Sequence, residues 1–356
     1  MPTGLHQRRQ LLATSLLWPL CRVTARPAPG SGKVWRVGAG QAISRIADAI
    51  QRAADGDTIE IEPGVYAGDV AVIHQRRLNL VGLGSGPQDR PRLVAAGRHA
   101  EGKAIWVVRN GDIQVSNLHF EGARVADRNG AGIRFEKGRL RLTRCGFFDN
   151  QNGILTGNDI DSSLSIEGCD FGQAPAEPGS LPHLLYVGRI AQVSIHGSRF
   201  RAGHEGHLIT SRARQSTRID NGLDDGPTGQ ASYEIDLPEG GEALVEGNTV
   251  GQSAGTQNPV MLSYGAEGGH WPLNRLTLRR NTFINRLPSG GWFVRVWADR
   301  LAPGSLDVDS QDNRYLGPGS LALGPDGRSA RDRFGPVPAA SARPAAPARP
   351  AWRGPD

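Results

Sequence analysis

Short runs of apolar residues spaced two apart recur along the chain. They read "DIQVSNLHF" (112–120), "RLRLTRCGF" (139–147), "SLSIEGCDF" (163–171), "QVSIHGSRF" (192–200), "ALVEGNTV" (243–250) and "RLTLRRNTF" (275–283). Each run ends in a small or polar residue and then an aromatic or apolar one. Aligned on the small residue, the column is Leu118, Cys145, Cys169, Ser198, Asn248 and Asn281, with weaker copies at Asn221 and Asn313. Successive steps are 27, 24, 29, 23, 27, 33 and 32 residues. Spacing of two means strands, since alternate side chains leave opposite faces. A repeat of this length means a solenoid whose units bury their faces only on neighbours. Coils of short strands predict a parallel β-helix. The column should bond coil to coil through its amides. Cys145 and Cys169, on adjacent coils of it, are expected as free buried thiols.

The front end adds a cap. "AISRIADAIQRAA" (42–54) spaces Ile43, Ile46, Ala47, Ile50 and Ala53 as one helical face, and "DGDTIEIEPGVY" (55–66) follows as strand and turn. An open first coil needs such a cover. This helix with "GDTIEIEPGVY" resembles the start of the pectate-lyase-like family of right-handed parallel β-helix proteins, and with the later coils the resemblance spans about residues 34–320. The expected fold is therefore all-β: a single-stranded right-handed parallel β-helix with an N-terminal capping α-helix.

Composition agrees, with 48 glycines, 6% aromatics and two methionines, as many tight turns require. The net charge of +6 belongs to the two ends, and the body is slightly acidic. No basic stripe interleaves with aromatics, so nucleic acid is not an expected partner. Arg8 and Arg9 before "LLATSLLWPL", with "VTA" at 23–25, read as a signal peptide over 1–25. That run is too short to span a bilayer, so no stable membrane insertion is expected. The folded domain is expected over 33–325. The Pro, Ala and Arg-rich stretch 326–356 is expected to be a disordered tail. A monomeric periplasmic or secreted protein follows.

A second strand set precedes the column: "GIRFE" (132–136), "GILTG" (153–157), "HLLYVGR" (183–189), "HLITSRA" (207–213), "SYEIDL" (232–237), "VMLSYGA" (260–266) and "FVRVW" (293–297). The first two look ordinary. The next four are polar and aromatic and fall on consecutive coils. If Leu185, Ile209, Ile235 and Ser263 point inward, alternation puts Tyr186, Thr210, Arg212, Glu234, Asp236 and Tyr264 outside. His183 and His207 would stack at the strand starts, about 5 Å apart per coil. His204 and His207 lack the spacing of a helical HExxH zinc site, so no metal ligand is assigned. Asp224 and Asp225 in "DNGLDDG" read as a turn.

The family resemblance implies a use for this face. Many relatives cleave or epimerise uronate-containing polysaccharides, using an outward Arg, Lys, His or Tyr to take the proton beside a carboxylate. A cation or Ca²⁺ neutralises that carboxylate. "HLITSRA" resembles a segment of the alginate and chondroitin lyase branch, where His207 and Arg212 stand in place of its glutamate and lysine. That branch's mechanism is therefore not carried over whole. The expected activity is that of a lyase or epimerase on an acidic glycan, in a groove over 183–270. Arg212, Tyr186, His207, His183 and Tyr264 are the candidate catalytic residues. Asp236, Tyr233, Glu267 and Trp271 are the candidate substrate contacts, and Ca²⁺ is a possible cofactor. The alternatives are a non-catalytic carbohydrate-binding or envelope scaffold, and then a glycoside hydrolase.

Overall fold

One left-handed residue turns the same corner in coil after coil. Asn117, Arg144, Gly168, Gly197, Asp220, Gly247, Arg280, Asp312 and Arg331 each stand just before the small-residue column, with φ between 52° and 68°. The column residue follows, and the residue after it begins a strand of the next sheet. The computed structural model describes residues 32–337, and within them the chain winds through three parallel sheets of 12, 10 and 11 strands. These three sheets make it a parallel β-helix. In the first sheet run Arg139–Thr143, Ser163–Glu167, Gln192–His196, Gln215–Ile219 and their equivalents. After the corner come the short strands of the second, such as Gly146–Phe148 and Asp170–Gly172. A longer connection leads to the third, which holds Ala104–Val108, Ala131–Phe135, Asn152–Thr156, His183–Val187, Ile209–Ser211, Ile235–Leu237, Val260–Tyr264 and Trp292–Val296.

From Cys145 onward the predicted column forms a continuous ladder, while Leu118 packs into the core. The Cys145 amide donates to Cys169 Sγ (3.3 Å), the Cys169 amide to Ser198 Oγ (3.1 Å) and the Ser198 amide to Asn221 Oδ1 (2.8 Å). From Asn221 each residue donates both its backbone N–H and its Nδ2 to the next Oδ1, through Asn248 and Asn281 to Asn313, at 2.9–3.0 Å. Both cysteines are buried free thiols. Beside the ladder, Phe120, Phe147, Phe171 and Phe200 stack in register, with ring centroids 5.1, 4.8 and 4.5 Å apart.

The cap is shorter than the sequence predicts, Ile46–Arg52, with Ile46, Ala49 and Ile50 buried over the first coils. Its first amides donate to the Asp69 carboxylate (Ile46 2.6 Å, Ala47 2.9 Å), which fixes where the helix starts. At the other end the fold runs past the expected boundary at 325. Arg328–Ala330 and Arg333–Gly335 add strands to the first and second sheets. Asp332 ends the ladder, accepting from the Asn313 amide (2.8 Å) and Nδ2 (3.1 Å). Three-residue strands with no buried side chain, flanked by arginines, carry too little alternation to be read from sequence. The signal-peptide segment and the tail beyond 337 lie outside the described residues.

Candidate functional site

The chain enters the third sheet through a corner that puts two consecutive residues inside. Leu184–Leu185, Leu208–Ile209, Met261–Leu262 and Phe293–Val294 are all buried. The outward column therefore begins one residue later, and its register is Arg134, Leu155, Tyr186, Thr210, Asp236, Ser263, Arg295. Tyr186, Thr210 and Asp236 fall on the outward register that alternation predicts, but Thr210 and Asp236 are buried there. Tyr264 does not fall on it. It lies inside, fully buried, and its hydroxyl donates to the Gly241 carbonyl, so it is no catalytic candidate. Ser263 takes the outward place. Glu234 is likewise inside, the first of the two corner residues.

Arg212, just past its strand, organises what the column presents. Its Nε donates to the Tyr186 hydroxyl oxygen (2.9 Å) and its Nη1 to Glu239 (2.8 Å). Glu267 takes Nη1 and Nη2 through its two oxygens (2.6 and 2.9 Å). Glu267 above all pushes the guanidinium further up from its ordinary range. Glu239 is buried and also holds Arg189 through two bonds of 2.7 Å. Trp271 serves from behind, its indole N–H donating to the Arg212 carbonyl (3.1 Å). It positions the arginine's backbone.

His183, His207 and Tyr233 form a second cluster at the strand starts. Their rings meet edge to face at 4.7 and 4.8 Å, and His183 meets Tyr186 the same way at 5.3 Å. The predicted stacking of His207 on His183 is present. His183 Nδ1 lies 2.7 Å from the Leu181 carbonyl, which only accepts, so Nδ1 carries the proton and Nε2 the lone pair. His207 Nδ1 sits 2.7 Å from Thr210 Oγ1 and 3.5 Å from Asp236 Oδ2. Burial lowers His183 to about 4 and His207 well below its ordinary value, and it raises Asp236 to about 7.

A groove of about 930 Å³ runs along the strand-end edge of this face and takes in Tyr186, Arg212 and Glu267. It reaches from Lys103 to Glu267, across seven consecutive coils. Six cations line it: Lys103, Arg109, Arg134, Lys137, Arg189 and Arg212. Glu136, Asp159, Glu239 and Glu267 are its acids, so the lining is net basic. Five of the cations and Glu136, Asp159 and Glu239 are not among the candidates read from sequence. Of the two coils that look ordinary there, the first contributes Arg134, Glu136 and Lys137 and the second Asp159. The available signal was a charged residue next to the turn that closes each strand, as in "VVRNG", "FEKG", "VGR" and "LPEGG".

The Ca²⁺ that the resemblance allows does not fit this lining. Glu136 is engaged by Lys103 and Arg134 and Glu239 by Arg189 and Arg212. Among the described residues no three His, Cys, Asp or Glu side chains converge. Asp224 and Asp225 belong to the second sheet and its exit. Asp224 pairs with Arg286 through two bonds (2.9 and 2.8 Å), and Asp225 accepts the Gly203 and Ala231 amides (2.6 and 2.9 Å).

No family model matches the chain, and no curated protein matches it. A solved structure of similar shape is ORF18 of Geobacillus virus E2, with a TM-score of 0.48 and 11% identity over 78% of this chain and 52% of that one. This chain thus spans about half the length of that protein.

Proposed function

We propose that the protein binds a linear acidic polysaccharide along this groove and acts on it as a lyase or epimerase at Tyr186 and Arg212, in the periplasm or outside the cell. The observation that carries the reading is the Tyr186–Arg212 pair, set within a net-basic groove that crosses seven coils. Coils repeat about every 4.8 Å, close to the advance per sugar of an extended glycan, so one cation can meet one uronate after another.

Elimination needs a base at C5, positive charge on the carboxylate as the enolate-like intermediate forms, and an acid for the departing O4. Arg212 supplies the charge. Its Nε–H occupies a lone pair of Tyr186, which leaves the phenol hydrogen free to protonate O4 as the C4–O4 bond breaks. The C5 base in this reading is His183, which is neutral at pH 7 and packs edge to face against Tyr186 behind the groove lining. Return of the proton to the other face of C5, without loss of O4, would be epimerisation.

A binding-only protein is the second reading. It is favoured because five of the six groove cations already have carboxylate partners among the described residues, Lys137 being the exception. Incubation with alginate, pectate and glycosaminoglycans separates the two. A lyase yields an unsaturated uronate that absorbs in the ultraviolet, and an epimerase changes the proton NMR spectrum of the polymer. Binding with neither signal would establish the second reading, and no binding to any acidic polymer would defeat both.

A further inference from the structure

We propose that the outer edge of Arg212 is a carboxylate subsite, and that Glu267 occupies it in the free protein as an internal competitor that a ligand carboxylate displaces. The inference rests on the groove reading for the identity of that ligand as a uronate. Arg212 has two carboxylate partners of different kinds. Glu239 is fixed: its side chain is 6% exposed and it holds Arg189 as well as Arg212. Glu267 can leave: its side chain is 55% exposed, and Arg212 is its one side-chain partner among the described residues.

Glu267 nevertheless uses both oxygens on Nη1 and Nη2, the two-bond fit by which a guanidinium recognises any carboxylate. An ion pair exposed on one side contributes little net stability, so a second carboxylate can replace it at small cost. The exchange conserves charge at Arg212 and leaves the Tyr186 and Glu239 bonds in place. A neutral sugar has nothing to offer this edge, so the exchange selects for acidic residues. Occupancy by Glu267 lowers the apparent affinity by the fraction of time the edge is free. Occupied nine-tenths of the time, it would weaken binding about tenfold.

Two measurements on the full chain test this. Acetate, compared with chloride at equal ionic strength, should raise the Tm of Glu267→Ala and leave wild type and Glu267→Ala/Arg212→Lys unmoved. A response equal in all three proteins, or in none, overturns the subsite. In the second, Glu267→Gln should bind galacturonate and mannuronate trimers about tenfold more tightly than wild type. Trimers that bind wild type and Glu267→Gln equally overturn the competition. If acetate fills Glu267→Ala while no trimer binds any variant, the subsite stands and the uronate reading of the groove falls.

Discussion

Asn248→Ala should cost about 3 kcal/mol, because the residue serves both neighbouring coils at once. It is almost completely buried. Its Oδ1 accepts the Asn221 amide (2.9 Å) and Asn221 Nδ2 (3.0 Å). Its Nδ2 donates to Asn281 Oδ1 (3.0 Å) and to the carbonyls of Arg218 (2.9 Å) and Glu246 (3.0 Å). Truncation leaves the buried Asn221 N–H with no acceptor, a loss of about 1–3 kcal/mol by itself. The Arg218 carbonyl loses a donor too. Asn221 Nδ2 keeps the Ile195 carbonyl (2.9 Å) and Glu246 keeps the Asp220 amide (3.0 Å), so these bonds fall only in part. Asn248→Ser should cost about half as much, since Ser198 fills the same column and accepts the Cys169 amide at 3.1 Å. Urea unfolding followed by circular dichroism gives both values. A loss below about 1 kcal/mol for the alanine variant, or equal losses for both, would refute the account of the ladder as the bond that closes this corner.

Three further outcomes follow from the site. If uronate chemistry is observed, Tyr186→Phe should lower kcat by about 100-fold or more with KM little changed, because the ring stays and the proton goes. Tyr264→Phe should leave that activity intact and lower stability by about 1 kcal/mol, since among the described residues its hydroxyl serves only the Gly241 carbonyl; lost activity would return Tyr264 to the groove. Asp236 is held at about 7 against an ordinary 3.8. The folded state therefore keeps a proton that the unfolded chain has released, and stability should fall as pH rises from about 4 to about 7. Asp236→Asn should flatten that slope in unfolding measured at pH 5 and pH 8, and an unchanged slope would place the titration elsewhere.

The fold was legible where geometry demands one chemistry at one place. The corner needs a left-handed residue and then a small hydrogen-bonding side chain, so Cys145, Cys169, Ser198 and the asparagines line up in the sequence as they do in space. Face assignment was less legible because alternation has no fixed origin. Two inward residues open each strand of the third sheet, and counting through "VMLSYGA" slips by one there. That is why Tyr264 reads as outward and Ser263 as inward. Tyr186 and Arg212 survive because "LLYV" and "LITSR" present an unbroken alternation after the corner. The remaining groove residues follow the strands, at turns whose lengths vary with the repeat. Arg189 and Glu239 come together across two coils, 50 residues apart. Period-two spacing holds no information about such a pair.

The coil that carries Asp236 and Glu239 also breaks the apolar pattern of the core. Arg218 stands in register between Ile195 and Val245, fully buried, with no partner for Nε, Nη1 or Nη2 among the described residues. Burial lowers it to about 10, so it stays charged at neutral pH. Glu234, at the opening of the same coil's third strand, is also fully buried, with both oxygens unpaired among the described residues, and burial raises it well above its ordinary value. A carboxyl held protonated gives Arg218 no counter-charge. The two possible relations between them predict opposite signs. Were they an ion pair, removing one partner would strand the other and destabilise by about 3–5 kcal/mol. With Arg218 a lone cation between aliphatic neighbours, Arg218→Leu removes a desolvation cost and should stabilise the fold by about 1–4 kcal/mol. Urea unfolding of Arg218→Leu at pH 7 decides it. A destabilised variant would mean that Arg218 has a partner within the coil and that the core is held there by charge.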